Sequence, residues 1–508
     1  MRTFLLIYAP LLLFPFLSLA QPKNDYIWLF GYPNESVPPI PYYGGTMLDF
    51  HQSPVEVSWF DIPFWFHAHV VMSDKDGNLL FYTNGCQIRN WAHQLVENGD
   101  SLNFGTEYLD LCPNNGYPGS QSEIAIPSPE NKSEYFIFHL KRDDIDNTID
   151  KEFLFTLVHF DSSDDSGKVL LKNQLLLDDN FTDQVTSVQH GNGRDWWIIL
   201  PQRSTNRHFV FLLDTEGPKL VSEQNIGWVW DFVDYVGQSV FSPDGSKFVR
   251  ISAINGINIF DFDRCGGVLS NPVHISLDQD TVVNASATGV SVSPNNRFLY
   301  ASVSNKVYQF DLYSPDIEST KTLVAYYDGY KTLGLIPTLF YQHMLAPDGK
   351  IYIVPPAGTD HLHVIHEPNK EGVACDLRQH DLELAALESW GMPNFPHFRT
   401  YDLPGSPCDT LGIDAPVTVV VEETGRKMLV YPNPANRWVS VKVDAAHPVP
   451  VKMSLFDGIG QTVLEKDFPT TSIVQYFALP ELASGVYYLK FTFQNGSSNW
   501  TKLVVMQG

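Results

Sequence analysis

Short runs of alternating apolar and polar residues, each introduced by a cluster of turn formers, recur through most of this chain. In FSPDGSKFVRI (241–251), Ser242 caps the turn, Pro243 pre-sets φ, Asp244 bonds the local backbone and Gly245 takes a positive φ. A strand-like run over 247–252, a turn at Asn255-Gly256 and alternating apolar residues over 257–262 complete a hairpin. VSPNNRFLYASV (292–303) and LAPDGKIYIVPP (345–356) repeat the pattern position by position, and 72–85, 126–140 and 188–201 repeat it more loosely. With Gly77, Asn131, Gly193, Gly245, Asn296 and Gly349 as equivalent turn positions, the steps are 54, 62, 52, 51 and 53 residues.

A period of about 50 residues with several strands and no helix in each repeat is the mark of β-propeller blades, kelch- and WD-repeat-like, which bury their faces only against their neighbours. Six copies are internal. YIWLFGY (26–32) and NFPHFRTYDL (394–403) are strand-like remnants at the two ends, expected to form one composite blade and bring the total to about seven. The expected fold is all-β, with the propeller over 21–404 and a turn-rich linker over 405–428. The short alternating strands of 429–508, separated by turns such as Asp457-Gly458, fit a small Ig-like β-sandwich.

Composition agrees with a large core: 44% of the 508 residues are hydrophobic and 13% aromatic. Residues 1–20 combine Arg2, an apolar run and Ser18-Leu19-Ala20, the three-part pattern of a cleaved signal peptide; Pro10 and Pro15 break the run and argue against an anchor. No later stretch is long and apolar enough to span a bilayer as a helix. The formal charge is −25, and removing 1–20 makes it −26, so nucleic acid is an unsuitable partner.

The five cysteines contain no CxxC, so they offer no zinc site. In an oxidising compartment, proximity pairs Cys86 with Cys112 and Cys375 with Cys408. Acidic loops at 141–150, 161–167 and 178–183 carry oxygen ligands of the kind Ca2+ takes; none has EF-hand spacing, and a solvated loop is the plainer reading.

The C-terminal region resembles the type IX secretion C-terminal sorting domain of certain Gram-negative bacteria. The resemblance is carried by LVYPNPANRWVSVKV (429–443), SLFDGIGQTVLEKDF (454–468) and LASGVYYLKFTFQNGSSNWTKLVV (482–505), with Tyr431, Pro432, Asn433, Pro434, Gly485 and Tyr487 as its sorting-signal residues. It implies periplasmic delivery and transfer across the outer membrane by the type IX machinery. A sorting peptidase then removes the domain, and the cargo is released or attached to surface lipopolysaccharide. The remainder resembles the uncharacterised propeller region of other proteins with this signal, through DKDGNLLFYTNG (74–85), VQHGNGRDWWIIL (188–200) and GMPNFPHF (391–398). That resemblance implies a fold and no catalytic residue.

His67 and His69, and His361 and His363, are spaced to share one strand face and a metal, although strand histidines without metal are the commoner case. Neither a G-x-S-x-G elbow nor a sialidase-type repeated box is present. Paired carboxylates for glycoside cleavage are recognised only in space, and stay open here. Trp59, Trp65, Trp228 and Trp230 suit sugar faces or peptide side chains at a propeller mouth, with core packing as the competing role. SWFDIPFWFHAH (58–69) is too aromatic for a bare loop and is expected to lie over one end. Two functions follow: a secreted or surface-attached binding or adhesion module for extracellular glycan or protein, or a polysaccharide hydrolase or lyase on the same scaffold.

Overall fold

In the computed structural model, the recurring turns become the hairpins of small antiparallel sheets. The structure describes residues 22–33, 42–66, 69–113, 115–142, 149–161, 166–230, 237–252, 254–277, 288–388, 390–411, 419–423, 426–431, 435, 438–443, 450–457, 460–467, 474–480, 482–493 and 498–505. The signal-peptide expectation for 1–20 lies outside them. The described chain divides into two units, Gln21–Ile413 and the region from Asp414 on.

The first unit holds seven sheets of three or four strands, each strand pairing with the next in sequence. The first sheet is Ile27–Tyr32, Gly44–Asp49 and Glu56–Phe60; the second is Val70–Ser73, Leu79–Thr83 and Ile88–Asn90. The others begin with the strands Glu123–Pro127, Thr186–Gln189, Gln238–Phe241, Thr288–Val292 and His343–Leu345 and have four strands each. Second strands such as Trp196–Pro201 and Phe298–Val303 are buried throughout, which explains their unbroken apolar character, whereas the outermost Gly217–Asn225 is largely exposed.

The turn chemistry repeats atom by atom. Ser242 Oγ accepts the Lys247 N–H (2.9 Å) and donates to Asp244 Oδ1 (2.6 Å), and Gly245 has φ 72°. In the next sheet Ser293 Oγ accepts the Phe298 N–H (2.8 Å) and donates to Asn295 Oδ1 (2.6 Å), while Asn296 has φ 62°.

Neighbouring sheets pack through large rings. Phe81 stacks on Phe160 between the second and third sheets, Phe153 meets Phe211 between the third and fourth, and His208 meets Phe260 between the fourth and fifth. Val249 and Leu299 share one apolar cluster between the fifth and sixth sheets, and Tyr300 and Ile351 share another between the sixth and seventh. Trp28 and Phe50 of the first sheet pack on Tyr352 of the seventh at 5.6 and 5.7 Å.

Three expectations are corrected. The first sheet is built by 27–60 alone, and 394–403 forms no strand: Pro396 lacks one of the N–H donors a ladder needs, and Asn394 gives its N–H to His69 O. The segment still lies beside the first sheet, where Arg399 grips Asp25 with two contacts of 2.7 and 2.6 Å. The region taken as linker to 428 contains the paired strands Val419–Glu423 and Arg426–Tyr431, as its β-branched run favours. The acidic stretch 178–183 begins within the strand Lys168–Phe181 rather than in a loop.

The cysteine pairing also changes. Cys86 joins Cys112, but Cys408 joins Cys265 rather than Cys375, which is a free, fully buried thiol. The last part of the first unit returns to the fourth sheet, with Leu403 N–H donating to Gly191 O (2.8 Å), so Cys408 meets a cysteine far from it in sequence.

The second unit has two four-stranded sheets. One is Val419–Glu423, Arg426–Tyr431, Trp438–Val443 and Val474–Ala478; the other, in spatial order, is Thr462–Asp467, Pro450–Phe456, Gly485–Phe493 and Ser498–Val505. Val430, Val439 and Val441 of the first share a core with Met453, Leu455, Leu489 and Phe491 of the second, giving a β-sandwich.

Candidate functional site

The segment Gly391-Met392-Pro393-Asn394-Phe395-Pro396-His397-Phe398 makes side-chain bonds where a strand would make a ladder. Asn394 Nδ2 donates to Glu123 O (2.7 Å) and Val185 O (3.0 Å), its Oδ1 accepts from Gln121 Nε2 (3.1 Å), and its N–H donates to His69 O (3.2 Å). His397 Nε2 lies 3.0 Å from Phe241 O. This one segment is thereby tied to the second, third, fourth and fifth sheets or the residues leading into them. The cavity beside it, lined by Gln121, Ser187, Ser239, Ser291, His343 and Asn394 among others, is about 20 Å3, room for about one water. Burial pushes His343 down to about 3 and His397 to about 4, so both are neutral near pH 7. A sugar ring does not fit there.

The predicted metal residues are not gathered. His67 lies outside the described residues, and His69 is 2% exposed with Nε2 2.9 Å from Leu29 O. His361 Nδ1 pairs with Asp360 (2.7 Å), and His363, fully buried, accepts the His380 N–H at Nδ1 (3.0 Å). Among the described residues no three His, Cys, Asp or Glu side chains form a metal-holding group. The acidic loops at 141–150 and 161–167 fall largely outside the described residues. Asp179 is occupied by Gln202 Nε2 at 2.8 and 2.9 Å.

The neighbouring carboxylates Asp150 and Asp183 are also enclosed. Asp150 and Asp183 are 4% and 3% exposed, with Arg142 Nε 3.4 Å from Asp150 Oδ1. Burial, then the neighbouring Asp150, pushes Asp183 up to about 7, although its Oδ2 accepts from the Ser120 N–H and Oγ (2.6 and 2.8 Å). Carboxyls flanking a scissile sugar bond have to be reached by substrate and water; these are packed into an ion cluster.

Of the four predicted tryptophans, Trp230 is corrected: it is 1% exposed and its ring is covered by the Arg250 guanidinium at 3.7 Å. Trp228 is 59% exposed and stacks on His274 at 4.7 Å. Trp59 and Trp65 belong to one group. Trp59 Nε1 donates to Tyr43 O (3.4 Å), Tyr43 packs on Tyr32 (5.1 Å), and Tyr32 stacks on Trp65 (4.6 Å). Tyr42 O accepts the Leu387 N–H (2.9 Å), which brings in Glu388 and Trp390. Trp59, Tyr42 and Trp390 are about half exposed (53%, 48% and 49%).

Under this group sits Glu388, fully buried, accepting the Trp390 N–H (2.7 Å) and the Thr359 N–H (3.4 Å). Burial holds its carboxyl well above the usual range, and both burial and Glu388 raise the Tyr32 hydroxyl. Trp390 has φ 87°, a backbone conformation costly for a bulky residue. Sequence reasoning missed Tyr32, Tyr42, Tyr43, Glu388 and Trp390. Only the position of Trp390, beside the non-repeating GMPNFPHF, marked it as outside the blade pattern.

In the second unit, Tyr431 ends the strand Arg426–Tyr431 and Gly485 begins Gly485–Phe493, while Pro432, Asn433 and Pro434 lie outside the described residues. Tyr487 is 8% exposed with its hydroxyl donating to Ala483 O (3.0 Å), so it anchors the core.

Residues 429–506 match the Secretion system C-terminal sorting domain. The sorting domain indicates export by type IX secretion across the outer membrane, to the cell surface or the extracellular space, and engagement with that machinery. Among the described residues no helix is long and apolar enough to cross a membrane. No curated protein matches the chain. Similar solved structures include a proposed 6-phosphogluconolactonase from Bacteroides fragilis, with TM-score 0.43 and 13% identity over 73% of this chain and 97% of that one. A luciferin-regenerating enzyme follows (0.32, 10%, 74% and 97%), as does Sqt1 from Chaetomium thermophilum (0.32, 9%, 64% and 70%). Likeness this slight leaves those activities with those proteins.

Proposed function

We propose that the first unit is a closed seven-bladed β-propeller that reaches the outside of the cell through an N-terminal signal peptide and the sorting domain, and there binds extracellular glycan. The observation that carries the binding assignment is the pairing of a filled axis with an exposed aromatic group. Met392–Phe398 occupies the place where propellers commonly hold a ligand, leaving about 20 Å3, while Tyr42, Trp59 and Trp390 present half-exposed rings, with the buried Tyr32 stacked on the half-buried Trp65 in the same group. Aromatic faces beside polar groups suit the apolar faces of sugar rings, and rigid rings lose little entropy on binding. Ring closure is supported by the packing of Trp28 and Phe50 on Tyr352 and by the Arg399–Asp25 pair. Hydrolysis or lysis is disfavoured by the burial of Asp150 and Asp183.

The test is retention of the mature chain on an array of bacterial and plant polysaccharides, followed by the double variant Trp59→Ala/Trp390→Ala. We expect specific retention without release of reducing ends, and at least about a tenfold loss in the variant, the size of one to two aromatic contacts. Depolymerisation of any retained glycan, or unchanged retention by the variant, contradicts this function.

A further inference from the structure

We propose that the outward face of the sheet formed by Thr462–Asp467, Pro450–Phe456, Gly485–Phe493 and Ser498–Val505 is the surface by which the type IX machinery engages the chain, through a protein patch that is apolar at its centre and acidic at its edge. The inference rests on the export assignment and adds which residues are read. On Gly485–Phe493 the side chains alternate: Tyr487, Leu489, Phe491 and Phe493 are buried, leaving Val486, Tyr488 and Lys490 to the outside. Tyr487, which helps to identify the domain, therefore faces the core rather than a partner.

In this unit the described large apolar side chains that are exposed are Val486 (39%), Tyr488 (44%) and Trp500 (49%), and all three lie on this one face. Register places Phe456 opposite Tyr488, and Lys490 opposite Trp500. Phe456 packs on Trp500 with ring centroids 5.2 Å apart, and Lys490 Nζ lies 5.1 Å from the Trp500 centroid. Lys502, opposite Tyr488, adds a second cation at the edge of the strip. A contiguous Phe-Trp-Tyr strip bordered by two lysines has the composition of a protein-binding centre, where Trp and Tyr supply most of the affinity, and its complement carries carboxylates around an apolar patch.

The test uses the full chain in a host with a working type IX system and measures the fraction recovered outside the cell. The variants are a deletion of 429–508, the pair Tyr488→Ser/Trp500→Ser, the charge-reversal pair Lys490→Glu/Lys502→Glu, and Tyr313→Ser on the first unit as an exposed-aromatic control. Purified variants are melted in parallel. We expect the deletion and both pairs to fall at least tenfold in export with the protein retained in the periplasm, Tyr313→Ser to match the parent, and melting of the charge-reversal pair to be unchanged. If the serine pair melts early, the charge-reversal pair decides. Parental export of the charge-reversal pair while the deletion is retained overturns the proposed face alone, and export of the deletion overturns the export assignment with it. Binding of the purified chain to phosphatidylglycerol vesicles that the lysine reversals abolish, with export intact, also overturns it, in favour of a lipid surface.

Discussion

From Asp414 onward eight acidic and eight basic side chains balance, so the formal charge of −25 belongs to what precedes them, as do all five cysteines and fifteen of the sixteen histidines. The first unit is an acidic, cross-linked assembly of repeats; the second is a neutral sandwich without a disulfide. In both, some of the residues that announce the fold are turned inward or spent on turns. SPDG and its relatives are turns, and the identifying Tyr487 is core, while the exposed rings come from a strand (Trp59) and irregular segments (Tyr42, Trp390) in one unit and from the alternate strand positions in the other.

Redox conditions should separate the two units most strongly. Cys265–Cys408 closes a span of 143 residues, and loop-closure arguments give about 4–5 kcal/mol for a loop of that order. Cys408→Ser, or reductant, should lower the first unit's unfolding midpoint in denaturant while the second unit's transition stays put. A shared shift would show that the two units unfold as one.

Acidity and alkalinity should separate them next. Burial pushes His139, His208 and His343 down to about 3 and His363 to about 4. An unfolded histidine takes its proton near 6.5, so each contributes stability that is full above that value and lost as pH falls toward 4, at about 1.4 kcal/mol per pH unit. Burial raises Glu123 to about 8 and Asp183 to about 7. Folded, these hold protons that the unfolded chain has released above about 4.5, so their contribution is full at low pH and lost as pH climbs through 7 to 8. Between about 5 and 6.5 the two sets oppose each other. The first unit should therefore show a plateau with loss on both sides, followed by urea midpoints against pH.

The smallest effect sharpens that picture at one residue. Both Glu123 oxygens are buried without a hydrogen-bond partner, so Glu123→Gln should flatten the alkaline limb by one proton and leave the limb below pH 4 unchanged. An alkaline limb of parental slope in this variant would mean that Glu123 is not protonated in the folded state.

Much of the fold was legible because turn chemistry is local: Ser242, Asp244 and Gly245 dictate a hairpin wherever they stand, and the repeats gave six of the seven sheets. The first sheet was not, since 27–60 lacks the turn signature and its neighbour in space, 394–403, follows it by hundreds of residues. The cysteine partner failed for the same reason, because sequence distance says little about who meets whom when the last part of the first unit returns to the fourth sheet. At the site, Trp59 and Trp65 were visible as aromatics, but exposure is a tertiary property, and Trp230 lost its face to Arg250. Glu388 carries no local sign at all; only its burial beside Tyr32 distinguishes it.

The most direct measurement is a crystal structure of the mature protein soaked with an oligosaccharide it retains. The account predicts sugar density against Trp59 and Trp390, with Met392–Phe398 still in the axis and seven sheets around it. Density inside the axis with that segment displaced, or a ring of another number of sheets, would contradict it.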